Sequence, residues 1–364
     1  MRRVISSTAW LLTALAMLAP ARPVRVEDET LLIELEDRSH PLPSAVNDNG
    51  SMIVGNFNEG DGCYWIPTTG AVFTGGLQAG GVSADGATIV GTAFDQGLVQ
   101  NAAIWLRGTE WRLLGSFPGA LPCDFNLSTA TATSRDGSVV VGIARNGCRL
   151  THAFRWEEST GMVDLGSSIP GQYSQGLGVS GDGAVVIGAQ ESEVGSRVGA
   201  RWRDGRQELF EGPTGRVGTA YATNHDGSIV GGRQCRPEDP FDQSAWVWTA
   251  TDGLQCLPPP RRVVHQLVIT SNVFATSDDG RVMGGAQVAG GTTDQEALIW
   301  IDRSPAYLKD FLRANGVPNA FATWINTGTI TDISPDGRIL VGYGAAIGGF
   351  RGYIVILGSN LVMP

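Results

Sequence analysis

The sequence predicts an all-β fold, a seven-bladed β-propeller closed by pairing an N-terminal strand into the last blade. Three observations predict it: an Asp/Asn-Gly turn repeated seven times, an aromatic residue at a regular distance behind each turn, and a last copy that lacks its fourth strand. Internal repeats of this length mark propellers, solenoids or arrays.

The turn is followed by a β-branched run. It reads Asn49-Gly50-Ser51-Met52-Ile53-Val54-Gly55, then Asp85-Gly86-Ala87-Thr88-Ile89-Val90-Gly91. It recurs as Asp136-Gly137-Ser138-Val139-Val140-Val141-Gly142 and Asp182-Gly183-Ala184-Val185-Val186-Ile187-Gly188, and Asp226-Gly227, Asp279-Gly280 and Asp336-Gly337 head the last three copies. The turn glycines are 36, 51, 46, 44, 53 and 57 residues apart, which means a constant core with loops of variable length. Asp-Gly between two β-prone runs is a hairpin signal, because glycine takes a positive φ without steric cost. Ser83, Ser134, Ser180 and Ser334 stand two residues before the turn Asp, and a serine repeated in most copies is expected to serve the turn. The single carboxylate of each turn is too few for a calcium loop, which needs several oxygen ligands close together.

Trp65, Trp105, Trp156, Trp202, Trp248 and Trp300 lie 15 to 21 residues after the turn glycines, and Tyr353 is read as their counterpart in the seventh copy. Large side chains at one recurring strand position are expected to pack between blades. A second tight turn and a fourth strand follow, clearest in Ser159-Thr160-Gly161-Met162-Val163-Asp164-Leu165-Gly166, so each unit is four antiparallel strands, A to D. The seventh unit stops after its third strand, while Leu31 to Glu36 precede the first A strand. Pairing that spare strand into the last blade hides both open edges.

The first residues read as an export signal: Arg2 and Arg3, an apolar run from Ala9 to Leu18, and Ala19-Pro20-Ala21 at the cleavage position. The expected organisation is a signal peptide over 1–21, a propeller over 22–357 with its repeats over about 44–357, and a short tail over 358–364. Formal net charge is −10, and −12 without Arg2 and Arg3. An acidic exported chain lacks the basic stripe that nucleic-acid binding needs. His40, His152, His225 and His265 have no metal-site spacing, no Gly-x-Ser-x-Gly occurs, and neither a metal nor a cofactor is indicated. A monomer without a membrane span in the mature chain is expected.

Strand order places the short A–B and C–D turns on one face and the long B–C and D–A connections on the other. Loops on a rigid scaffold are where function concentrates. Binding residues are therefore sought at Arg145, Arg149, Arg197, Arg233, Glu238, Asp242, Asp294 and Arg351. The cysteines fall on the same face, and the expected pairs are Cys123–Cys148 and Cys235–Cys256, leaving Cys63 over, in an oxidising compartment.

His152-Ala153-Phe154-Arg155-Trp156, followed by Gly161-Met162-Val163-Asp164-Leu165-Gly166, resembles the bacterial extracellular repeat called the HAF repeat. Ser134 to Gly142 is similar to the segment that precedes it, and Leu308-Lys309-Asp310-Phe311-Leu312-Arg313-Ala314-Asn315-Gly316-Val317 with Trp324 resembles the family's usual ending. The likeness covers about 44 to 357, although the third copy alone spells His-Ala-Phe. The resemblance implies export and propeller-like repeats, and carries no catalytic set. Some members end in a Pro-Glu-Pro sorting segment; Gly358 to Pro364 lacks it, and a soluble protein is expected. The functional expectation is a binding or scaffolding module for a protein or glycan. A glycan-active hydrolase or lyase and a structural envelope component are the alternatives.

Overall fold

The computed structural model describes residues 29–35, 41–57, 60–108, 110–118, 127–146, 150–212, 215–236, 242–260, 269–289 and 295–364. The expected signal peptide, the Cys123–Cys148 pair, Arg149, Glu238 and Asp294 lie outside them.

Seven four-stranded antiparallel blades follow one another around an axis. After β1 (Leu31–Leu35), blade 1 holds β2 to β5 (Pro41–Val46, Ile53–Phe57, Gly62–Ile66, Gly70–Phe73) and blade 2 holds β6 to β9 (Gln78–Val82, Thr88–Phe94, Gln100–Leu106, Trp111–Leu113). Blade 3 is β10 to β13 (Ser128–Thr133, Val139–Asn146, Leu150–Glu157, Gly161–Asp164) and blade 4 is β14 to β17 (Ser174–Val179, Val185–Glu191, Arg197–Arg203, Arg206–Leu209). A small hairpin, β18 and β19 (Glu211–Gly212, Gly215–Arg216), precedes blade 5, which is built from β20, β21, β23 and β24 (Ala220–Thr223, Ile229–Gly232, Ala245–Thr249, Gly253–Leu257). Between its second and third strands, β22 (Asp242–Gln243) crosses to pair in parallel with the first strand of blade 6. Blade 6 is β25 to β28 (Ile269–Thr276, Val282–Ala289, Gln295–Ile301, Ser304–Tyr307), followed by helix α1 (Leu308–Ala314). Blade 7 has β29 to β31 (Thr329–Ile333, Ile339–Ala346, Gly349–Ile356), and its fourth strand is β1, antiparallel to β31 with Leu31 opposite Ile356 and Leu35 opposite Gly352. The ring closes as the sequence predicts.

The turn is built alike in the seven copies, with a serine in five and an asparagine in two. The turn glycines have φ between 69° and 75°. In blade 3 Ser134 Oγ donates to Asp136 Oδ1 at 2.6 Å and accepts from Val139 N at 3.0 Å, and Ser83, Ser180, Ser277 and Ser334 do the same in their blades. Asn47 and Asn224 replace the serine, each accepting through its side-chain oxygen from the first strand residue beyond the turn, Met52 N at 2.9 Å and Ile229 N at 3.0 Å. The recurring serine therefore builds the hairpin.

Apolar side chains gather between successive blades rather than at one centre. Ala45, Met52 and Val54 of blade 1 pack on Ile89 and Trp105 of blade 2, and Val90 and Ile104 pack on Val140, Phe154 and Trp156 of blade 3. Five of the six landmark tryptophans are less than a tenth exposed, and Trp248 is half-buried. Burying such rings contributes a few kcal/mol each.

Tyr353 does not hold the tryptophan position. Trp156 faces Val140, three residues beyond the turn glycine, and the register of blade 7 puts Val355 opposite the equivalent Leu340. Tyr353 instead faces Gly342, as Phe154 faces Gly142 and Trp246 faces Gly232. The volume lost at Val355 is filled from the segment after blade 6. Phe321 stacks edge-on against Tyr353 with centroids 5.1 Å apart, Trp324 lies 5.7 Å from the same ring, and Phe311 of α1 is fully buried beside them. The sequence distance to Tyr353 misleads because the blade 7 hairpin is short.

Candidate functional site

The innermost strand of every blade carries a β-bulge, with register shifts at Pro43/Ala45, Ala79/Gly81, Ala130/Ala132, Gly176/Gly178, Ala220/Ala222, Val273/Ala275 and Ile330/Asp332. A bulge leaves one residue outside the ladder and re-aims its side chain. Here the bulged residues are Ser44, Gly80, Thr131, Leu177, Tyr221, Phe274 and Thr331, and all line an axial cavity of about 240 Å³. The glycine ending each Val-Val-Gly run is required by the same bulge: a Cβ on Gly91 would stand 1.9 Å from Gln78 O, and one on Gly188 would stand 1.9 Å from Gln175 O.

Two further rings line the cavity. Directly after the bulge stand Ala45, Gly81, Ala132, Gly178, Ala222 and Ala275, but Asp332 in blade 7. At the mouth stands the residue before each turn Asp or Asn: Asp48, Ala84, Arg135, Gly181, His225, Asp278 and Pro335. Arg135 crosses the mouth from blade 3. Its Nε donates to Asp48 Oδ2 at 3.1 Å in blade 1 and its Nη1 to Asp278 Oδ2 at 3.0 Å in blade 6. Gly181 leaves room for the crossing, since a Cβ there would meet Arg135 Cδ at 2.7 Å. Backbone bonds join the turns, from Ala84 N to Arg135 O at 2.7 Å, Arg135 N to Gly181 O at 2.9 Å, and Asp278 N to Pro335 O at 2.8 Å.

Asp332 serves the seam where chain ends meet. Its Oδ2 accepts from Val46 N of blade 1 at 2.9 Å and its Oδ1 from Ile333 N at 2.9 Å. Enclosure by protein raises its carboxyl to about 6, the two backbone donors offsetting part of that effect and the Asp48 carboxylate adding to it. Tyr221 of blade 5 and Phe274 of blade 6 stack edge-on with centroids 5.1 Å apart, on the blades that precede blade 7 in the ring.

The loop-rich face is the other end of the ring. Of the residues sought there, Arg233 extends the second strand of blade 5, bridges to Asn272, and lies with Cζ 5.9 Å from the Tyr221 ring. It thus touches a residue of the axial cavity. Arg145 is near the end of β11, Arg197 is exposed at the start of β16, and Arg351 in β31 donates to Ile347 O at 3.2 Å. These three sit on blades 3, 4 and 7. Asp242 lies in β22, whose backbone pairs with Ile269 and Thr270. Cys235 and Cys256 form the expected disulfide, with Cα atoms 5.5 Å apart, which ties the B–C connection of blade 5 to the fourth strand of that blade. Cys63 is buried in β4.

Exposed apolar side chains mark this face. Leu98 at the β7–β8 tip is 76% exposed, Val194 at the β15–β16 tip 85%, and Ile347 at the β30–β31 tip 71%. Leu98 also has φ +60°, a conformation that costs a bulky residue roughly 1–3 kcal/mol.

In blade 3 the histidine and aspartate of the His-Ala-Phe segment meet. His152 Nδ1 lies 2.9 Å from Asp164 Oδ1, and Asn146 Nδ2 donates to Asp164 Oδ2 at 2.5 Å. His152 Nε2 is buried without a hydrogen-bond partner, so the ring carries its proton on Nδ1 and donates it to Asp164. No group of three or more His, Cys, Asp or Glu that could hold a metal occurs among the described residues.

No protein-family model matches the chain, and no curated protein is similar to it in sequence. Solved structures are similar in fold. The fold is shared with propellers. The xyloglucanase of glycoside hydrolase family 74 from Xanthomonas campestris aligns at TM-score 0.56 and 13% identity over 89% of this chain, which spans 53% of that longer protein. An oligogalacturonate lyase in complex with manganese aligns at 0.53 and 13% identity over 92% of this chain and 98% of its own. The β-propeller domain of the Trilobed protease from Pyrococcus furiosus, described as having an open velcro topology, aligns at 0.52 and 11% identity over 89% of this chain and 100% of its own. At such identity the likeness concerns the scaffold, which hosts many unrelated activities.

The cavity mouth was missed by sequence reasoning. Its signal is the variable residue inside an otherwise constant turn, where charge replaces the Ala, Gly or Pro that suffice in blades 2, 4 and 7.

Proposed function

We propose that the chain is an exported binding module, a bacterial HAF-repeat propeller that takes a protein or glycan partner on its loop-rich face. The observation that carries this reading is Leu98, an apolar side chain 76% exposed at φ +60°. Its backbone closes the β7–β8 turn, with Leu98 N donating to Asp95 O at 3.1 Å, but its exposed side chain adds nothing to the packed core, so a use outside the fold accounts for a leucine there. Val194 and Ile347 are likewise exposed at two other tips, and Arg197, exposed three residues after Val194, adds a hydrogen-bonding cation. The Cys235–Cys256 bridge supports maturation in an oxidising compartment. Among the described residues no helix is long and apolar enough to cross a membrane.

The test is a glycan array and a pull-down from the producing organism's secreted proteins, with wild type and the Leu98→Asp/Val194→Asp double variant. Loss of at least about tenfold in partner capture, with an unchanged melting temperature, is expected for tips that bind. Equal capture by both proteins would remove the tips from the reading.

A further inference from the structure

The seven copies supply an internal control. Where most blades use a small neutral residue, the fold needs nothing more, and a departure serves something else. Directly after the bulge, six blades have Ala or Gly and blade 7 has Asp332. At the mouth, Ala84, Gly181 and Pro335 suffice in three blades, whereas blades 6 and 1 place Asp278 and Asp48 on either side of Asp332. Three carboxylates thus come from three consecutive blades across the closing seam. Next to them in the ring stand the large bulge residues Leu177, Tyr221 and Phe274 of blades 4 to 6, Phe274 on the same blade as Asp278.

This cavity of about 240 Å³ has three acids against one permanent cation, Arg135, among its described lining residues. Its field repels anions. Carboxylates beside an aromatic pair supply the two attractive elements for an organic cation, through ion pairing and through the ring quadrupole. The Tyr221 ring already has the Arg233 guanidinium 5.9 Å from its centroid. Arg135 shows which chemistry the mouth accepts: a guanidinium bridges Asp48 and Asp278, two side chains from blades that are not its neighbours.

We propose that the axial cavity binds a small organic cation, a guanidinium or primary ammonium, with Asp332 as the inner counter-charge, Tyr221 and Phe274 as the apolar wall, and Arg135 as a latch that competes for the mouth. The site is separate from the loop-rich face. The cation arrives either as a free molecule or as an Arg or Lys side chain of a partner. Asp332 has a structural bond to Val46 N as well, and Asp332→Asn keeps the shape and an acceptor while removing the charge.

Titration calorimetry of the full chain with agmatine, and separately with a capped Gly-Gly-Arg-Gly-Gly peptide, tests the proposal. Saturable binding of at least one probe is expected, weakened tenfold or more in Asp332→Asn and tightened in Arg135→Gln, where the latch is lost. Glutarate, an anion of similar length, is expected to stay silent. Binding of the peptide without agmatine assigns the cation to a partner's side chain, and binding of agmatine alone assigns it to a free molecule. Silence of both probes with wild type and Arg135→Gln overturns the proposal, as does binding that Asp332→Asn leaves unchanged. If Arg135→Gln fails to fold, Asp332→Asn alone decides.

Discussion

At the scale of single residues, the repeat separates what holds the ring from what the ring merely tolerates. Ser134 and its counterparts bond to the turn in the same way in blade after blade, and a hydroxyl used so regularly has a structural task. Asp332 is the reverse case. Its carboxyl titrates at about 6, above the ordinary 3.8, because burial disfavours the charge. Between those values the folded chain holds a proton that the unfolded chain has lost, so stability is full below about pH 4 for this group and falls as pH rises through 6. A shift of about two units corresponds to at most about 3 kcal/mol at neutral pH. Asp332→Ala is therefore expected to melt higher than wild type at pH 7.5, by a margin that shrinks toward pH 4.5. Melting curves at the two pH values check this, and an equal difference at both would assign the effect to packing.

At the scale of elements, short strands hold one another through turns, bulges and the Cys235–Cys256 cross-link. The seven bulges turn one residue per blade toward the axis, a glycine in blade 2, and the facing glycines are what allow the inner pair of strands to close over them. The B–C connection of blade 5 is fixed at three points: Cys235 bridged to Cys256, Cys235 N bonded to Ser244 O at 2.9 Å, and β22 paired with β25. Closing a loop of 21 residues removes chain entropy worth about 3 kcal/mol from the unfolded state. Cys256→Ala is expected to lose about that much in urea titration. A reductant should destabilise wild type similarly and leave the variant unchanged.

At the scale of the whole molecule, closure decides stability. β1 is the first described strand and β31 the last, and their pairing makes one ring from a chain whose blades pack on their neighbours, with Arg135 reaching beyond them to Asp48 and Asp278 at the mouth. Leu35, 2% exposed, lies in the cluster shared by blades 7 and 1 with Val46, Trp65 and Ile354. Leu35→Asp buries a charge with no partner and should cost more than 3 kcal/mol, because releasing β1 exposes the edge of blade 7. Calorimetry should show one transition at a much lower temperature. A loss below about 1 kcal/mol would mean that the inter-blade contacts alone hold the ring.

The blade count, the four strands per blade, the turn serines, the Cys235–Cys256 pair and the closing strand were all legible in the sequence, because each follows from local chemistry or from counting copies. A turn glycine, a serine two residues before its Asp and a missing fourth strand need no knowledge of distant contacts. What only the tertiary structure decided is what meets on the axis. Asp48, Arg135 and Asp278 lie 87 and 143 residues apart in the chain and come together because the ring points one mouth residue from each blade inward. Asp332 reads as an ordinary strand residue until the bulge turns its neighbourhood toward the cavity and the seam sets Val46 beside it. Tyr353 was misplaced for the same reason, since residue counting follows the chain, whereas pairing register and the volume between blades determine which side chain fills a given place.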